Sequence, residues 1–247
     1  MNKTKLKTSL FIVSSFLIPA IMMFFIYLSQ GIYWNSDTSP LLGDGYHQYV
    51  IFDTTLRNIL HGTDSLFYSF QSGLGINFYA LSSYYLGSFF SPLVYFFNAQ
   101  SMPDAVYLIT LLKFGAIGLS TYISLHGMFS KIPRSLVLTL STSFALMSFA
   151  ISQIEIKTWL DVFILAPLIL YGFKKLIYNE GEILYFISLT SLFIQNYYFG
   201  FMMSIFLILW YLTQLSWDIK GIGKRFFHFV IVSLLSVITS LVMLYPT

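Results

Sequence analysis

Long apolar runs, separated by short polar or charged breaks, set the pattern of the chain. Runs such as 6–28 and 226–244 approach the ~20 residues that cross ~30 Å of hydrocarbon as a helix. They lack the alternation of polar and apolar positions, in segments of about 10 residues, that a membrane β-barrel needs. The pattern predicts about seven helical spans, over 8–28, 105–125, 136–151, 159–173, 183–195, 199–214 and 226–244. Between the first two lies a long polar stretch, 29–77, rich in Gly, Asp, Ser and Asn. Within it, 46–60 reads as a short amphipathic helix in the membrane interface. Tyr46, Tyr49, Val50, Phe52, Leu56 and Leu60 are then available to lipid, with His47, Gln48, Asp53, Arg57 and His61 turned away.

Segment 78–97 is apolar but contains Gly87 and Pro92 and is crowded with Ser and Tyr. Charge decides how to read it. Lys3, Lys5 and Lys7 precede the first run, which by the positive-inside rule puts the N-terminus in the cytoplasm. The first run is longer than a signal-peptide core of about 7–15 residues and no small-x-small site follows it, so it reads as an uncleaved anchor. If 78–97 stays on the outer side without crossing, then Lys131, Arg134, Lys174, Lys175, Lys220, Lys224 and Arg225 all face the cytoplasm, with Lys157 the exception. If it crosses, those clusters move outside, against the rule. The expected architecture is therefore a single all-α transmembrane domain over 1–247, a polytopic helix bundle with residues 29–104 as an outer-face loop carrying juxtamembrane helices.

Composition agrees. Hydrophobic residues make up 57% of the chain and charged residues 9%, far below the ~25% that a water-facing surface requires. The net charge of +3 is explained by the cytoplasmic clusters, and no nucleic-acid partner is expected. The absence of cysteine removes disulfides, thiolate metal sites and a cysteine nucleophile. No phosphate-binding Gly-rich loop, zinc helix or Ser-His-Asp pattern is present.

Three polar features are expected to meet on the outer side: residues 44–49, residues 157–161 and residues 195–198. Asp161 stands at the head of an uncharged run, and an ionisable group at membrane depth is a functional candidate by default. Each feature also has a structural reading. Asp44 stands where a helix N-cap would, Asp161 has Lys157 at i−4, and Gln195 and Asn196 suit helix ends at a turn. Tyr46, Tyr49, Trp159, Tyr197 and Tyr198 suit an interfacial aromatic belt. His47 and His61 do not make a convincing ligand set, so no metal is expected, and a cofactor is left open.

The order of Gly43-Asp44-Gly45-Tyr46-His47-Gln48-Tyr49, Leu66-Phe67-Tyr68-Ser69-Phe70, Gly73-Leu74-Gly75-Ile76-Asn77-Phe78, Tyr84-Tyr85, Trp159-Leu160-Asp161 running into Pro167-Leu168-Ile169-Leu170, and Asn196-Tyr197-Tyr198 resembles the YfhO family of bacterial membrane proteins. The chain departs from the family pattern at Ile156, where Asn is frequent, and it is several times shorter, as an N-terminal portion would be. The resemblance implies a glycosyltransferase type-C-like fold that moves a sugar from a polyprenyl-phosphate carrier to an extracytoplasmic cell-wall polymer such as a teichoic acid. It implies Asp44 as the catalytic base, with Asp161 orienting the acceptor, Asp44 or a bound cation. His47 and Arg57 would contact the donor phosphate, and Gln48, Tyr49, Trp159, Asn196 and Tyr197 the substrate or its lipid tail. The rival is a non-enzymatic transporter, lipid flippase or structural subunit. No internal repeat favours transport, and the polar residues gather at one face instead of the midplane.

Overall fold

A computed structural model describes residues 3–71, 73–214 and 221–245. It is all-α among those residues. Ten α-helices run in chain order: α1 Lys3–Ser29, α2 Val50–Leu60, α3 Phe78–Tyr85, α4 Met102–Met128, α5 Arg134–Ala145, α6 Ser148–Ser152, α7 Lys157–Ile177, α8 Ile183–Gln195, α9 Tyr197–Gln214 and α10 Ile222–Leu244. A π-turn, Gly45–Tyr49, leads into α2, and a 3₁₀ segment, Ser91–Phe96, follows α3.

Among the described residues five stretches are long and apolar enough to cross a membrane: Thr8–Ser29, Met102–Met128, Arg134–Ser152, Tyr197–Gln214 and Gly223–Leu244. The expected seven include two that differ in kind. Helix α7 has 21 residues, about 31 Å at ~1.5 Å per residue, but it carries Lys157, Asp161, Lys174 and Lys175. Helix α8 has 13 residues, about 20 Å, and is too short to cross alone. Segment 78–97 does not form a continuous span. It breaks into the eight residues of α3 and the six of the 3₁₀ turn, where Pro92 sits in the first turn.

Helix α4 is the axis of one half, packed by α1, α5 and α7, and α7 then packs on α8, which packs on α9 and α10. Gly118 lets α1 approach α4 closely, since a Cβ there would stand 2.3 Å from the Ser15 carbonyl. Each half has its own apolar core. Phe114, Ile117 and Leu160 are buried between α4 and α7, and Phe173, Tyr185, Tyr211 and Phe229 are buried in the second half.

The bundle has two chemically different ends. At one, Arg134 Nη1 donates to Thr8 Oγ1 at 2.8 Å, Lys174 Nζ donates to the Met128 carbonyl at 2.5 Å, and Arg225 donates to the Ile177 carbonyl. This end gathers Arg134, Lys174 and Arg225, as the charge pattern predicts. Lys220, expected with them, lies outside the described residues. The opposite end collects the first loop, the N-terminus of α7 and the α8–α9 turn.

The 46–60 segment corrects one expectation. It is helical, but it is not a helix with its aromatic face in lipid. Tyr49 is 2% exposed and Asp53 fully buried, both turned into the protein, while Tyr46 stays 61% exposed. The reason is a buried cation beneath α2, described next.

Candidate functional site

Two lysines and two aspartates from three helices form a buried, charge-balanced cluster. Lys113 of α4 donates from Nζ to Asp161 Oδ2 at 2.7 Å and to the Lys157 carbonyl at 2.8 Å. Lys157 of α7 lies between both carboxylate oxygens of Asp53 on α2. All four side chains are at most 3% exposed. Ser88 completes Asp161 by donating to Oδ1 at 3.0 Å. Its neighbour Gly87 makes this reach possible. A Cβ at Gly87 would stand 2.4 Å from the Ile194 carbonyl, so the loop lies directly on the end of α8.

Asp161 therefore does not pair with Lys157 one turn away. Each aspartate takes the lysine of another helix, because a charge inside the bundle needs a counter-charge where water is absent. Asp161 has both oxygens engaged and is 1% exposed. Its part is to fix the N-terminal turn of α7 against α4.

That turn carries the site's outer layer. The Tyr49 hydroxyl and Thr158 Oγ1 are 3.0 Å apart, and Lys157 Nζ lies 5.5 Å from the Tyr49 ring centre. Burial raises the Tyr49 phenol above its ordinary pKa, opposed in part by Thr158, so the hydroxyl remains protonated. From Tyr49 a chain of rings runs to Tyr85 at 5.4 Å, Tyr84 at 4.8 Å and Tyr197 at 6.0 Å. Trp159 meets Phe199 edge-on at 5.0 Å. The first loop, the N-terminus of α7 and the α8–α9 turn are thus brought together, as their polarity predicts.

Asp44 stands on the exposed side of this layer. It precedes the π-turn but makes no capping hydrogen bond, and among the described residues its Oδ1 accepts only from Gln48 Nε2, at 3.2 Å. Burial pushes the phenols of Tyr49 and Tyr85 up, and the Asp44 charge adds a smaller push in the same direction. Gln48 holds Asp44 while its own Oε1 is buried without a partner among the described residues. His47 is exposed and packs edge-on to Tyr46 at 5.3 Å.

Two expected site residues make structural contacts. Asn196 is the hinge between α8 and α9, with an extended backbone and Oδ1 accepting from the Phe199 amide at 3.2 Å. Arg57 is not brought to Asp44. Its Nε donates to the Phe97 carbonyl at 2.8 Å, beside His61, which stacks on Tyr95 at 4.3 Å, and together they pin the 3₁₀ turn to α2. Among the described residues no three His, Asp or Glu side chains converge as metal ligands.

Lys113, Asp53 and Ser88 are the residues whose part in the cluster sequence reasoning passed over. Lys113 left a signal, being the one charge in the run 105–125. A lone lysine there demands a carboxylate from another segment. The link between Asp53 and Lys157 left none, because the two are 104 residues apart.

The chain matches no curated relative and no solved structure. The model of a family described as bacterial membrane protein YfhO matches residues 14–247, nearly the whole chain, and takes in every motif described above. With its exposed first-loop aspartate set against a buried charged cluster in an all-helical membrane bundle, the chain belongs to the YfhO family of bacterial membrane proteins.

Proposed function

We propose that this membrane protein is a glycosyltransferase that moves a sugar from a polyprenyl-phosphate carrier to an extracytoplasmic cell-wall polymer such as a teichoic acid, with Asp44 as general base. The observation that carries the reading is the contrast at the site. Among the described residues Asp44 is exposed and bound only by Gln48, while the two lysines and two aspartates of the buried cluster are paired and closed off. In the step, an acceptor hydroxyl gives its proton to Asp44 as its oxygen bonds to the anomeric carbon. The bond from that carbon to the phosphate oxygen breaks, and the carrier leaves as a phosphate anion that needs no protonation. The end of the bundle bearing Asp44 faces outward in this reading. His47 and the exposed aromatic rim lie beside Asp44 for the donor and its lipid. Asp161 is a positioning residue, acting through Lys113 and the first turn of α7.

The test is Asp44→Asn in the full-length protein, assayed by transfer of labelled sugar to wall polymer. General-base assistance contributes ~10²–10⁴-fold, and the variant should lose activity on that scale. Insertion and thermal stability should hold, because the native Asp44 makes no cap bond that Asn has to replace. Near wild-type transfer by a stably inserted variant would refute the assignment.

A further inference from the structure

A cavity of about 410 Å³ opens beside Asp44, between the end of α1, the first loop and the α6–α7 link. That volume lies in the range of small-molecule sites, ~300–1,000 Å³. Ile26 and Ile154 give it an aliphatic wall, and Gln30, Thr38, Ser39 and Glu155 line its polar side. Leu42 of the lining is two residues from Asp44.

Glu155 is the informative residue. It is half-buried and has no hydrogen-bond or ion-pair partner among the described residues. Its Oε2 lies against the first loop, 2.3 Å from where a Cβ on Gly43 would stand. Gly43, with φ +45°, leaves room for that carboxylate directly before Asp44 in the chain. The fold thus brings a second acid, 111 positions on, to the rim that carries the proposed base.

The chemistry of the lining selects its ligand. None of the residues lining the cavity is cationic, so a phosphate would meet a carboxylate with nothing to neutralise it. A carboxylate with free lone pairs accepts two hydroxyl donors at once, while Thr, Ser and Gln both donate and accept. Aliphatic walls suit the C–H faces of a pyranose ring. We propose that this cavity is a subsite for a neutral sugar, with Glu155 accepting hydrogen bonds from adjacent hydroxyls. The proposal rests on the transferase reading and adds a residue and a ligand class to it. The donor's sugar carries its phosphate at the anomeric carbon, so the same charge argument assigns this sugar to the acceptor polymer.

Saturation-transfer NMR on the full-length protein in lipid nanodiscs tests it, with methyl α-D-glucopyranoside and methyl N-acetyl-glucosaminide as neutral probes and glucose 1-phosphate as the charged one. A neutral probe should bind, and glucose 1-phosphate should bind at least about tenfold more weakly. Glu155→Gln should weaken the neutral probe about tenfold, and Ser39→Phe, which fills the cavity from the loop, should abolish its signal. Displacement by a soluble ribitol-phosphate oligomer bearing sugar is expected for an acceptor subsite, and displacement by a short-chain prenyl-phosphate glucose would overturn the exclusion of phosphate. Absence of neutral-probe binding, or binding indifferent to both substitutions, overturns the subsite. The two readings fail separately. Asp44→Asn should leave probe binding intact, so a protein that binds sugar through Glu155 but transfers normally without Asp44 keeps the subsite and loses the base.

Discussion

The two ends of the bundle use the same cations in opposite ways. At the basic end, Lys174 and Arg225 reach the terminal carbonyls of α4 and α7, and Lys174 also lies 5.6 Å from the Phe129 ring centre. There a cation meets the negative end of a helix dipole near water, an arrangement typically contributing ~0.3–1 kcal/mol. Toward the other end, Lys113 and Lys157 are closed off from solvent, and each meets a carboxylate from another helix. A lysine at a helix terminus keeps its charge cheaply because water remains a partner. One inside the bundle keeps it only if the fold delivers an anion. The buried pairs are therefore constraints on tertiary structure, fixing α2 and α4 to the first turn of α7, while the terminal ones only trim helix ends.

The largest effect should come from breaking the inner pair. Lys113→Met strands the Asp161 carboxylate with Ser88 as its main remaining partner, and removing one partner of a buried pair costs about 3–5 kcal/mol. Thermal or denaturant unfolding in mild detergent should register a loss of that size. The double variant Lys113→Met/Asp161→Leu should recover most of it, since no unpaired charge is left behind. A single variant as stable as the double would mean that the pair does not constrain the fold.

That inner pair also marks where sequence reading stopped. Helices α1, α4, α9 and α10 were legible because each is a long apolar run with polar ends, a one-dimensional signal. The grouping of basic residues at one end was legible for a similar reason, since charge bias is written loop by loop. Asp44 and Asp161 stood out as acids in special positions. Partner choice was not legible. Spacing of four made Lys157 the natural partner of Asp161, but Asp161 bonds Lys113, 48 positions away in the chain. Amphipathic patterning put Tyr49 toward lipid, and the fold turned it inward because Asp53, four residues on, must reach Lys157. Such long-range matches are decided by packing in three dimensions, and local periodicity does not encode them.

The outer pair should give a smaller, local effect. Asp53→Asn leaves Lys157 with one neutral acceptor and the Tyr49 ring at 5.5 Å, a loss of about 1–3 kcal/mol for a buried donor partly unsatisfied. Because Asp53 joins α2 to α7, hydrogen exchange should accelerate across residues 45–60 while α4 and α10 keep their protection. Transfer activity, on the proposed mechanism, should fall with that loosening, since Asp44 lies directly before the π-turn leading into α2. Uniform loss of protection over the whole bundle would show that the outer pair holds the entire fold, erasing the distinction drawn between the two pairs.

The smallest disturbance sharpens the comparison most. The chain has no cysteine, so a single introduced thiol reports its own location. Leu74 is 99% exposed, in the turn closed by the bridge between Ser69 and Ile76. That turn leads into α3, whose Tyr79 hydroxyl donates to the Val242 carbonyl near the C-terminus of α10, at 2.6 Å. Lys131 is exposed in the turn between α4 and α5, at the basic end. Substitutions at such exposed sites usually change stability by no more than ~0.5 kcal/mol, so Leu74→Cys and Lys131→Cys should leave the fold as it is. In intact cells a membrane-impermeant maleimide should label position 74 directly and position 131 only after permeabilisation. The opposite pattern would turn Asp44 toward the cytoplasm, where an extracytoplasmic acceptor is out of reach, and the proposed reaction would fail with it. Direct labelling of both would mean that the two ends share one side, and the contrast between them would then need a cause other than the membrane.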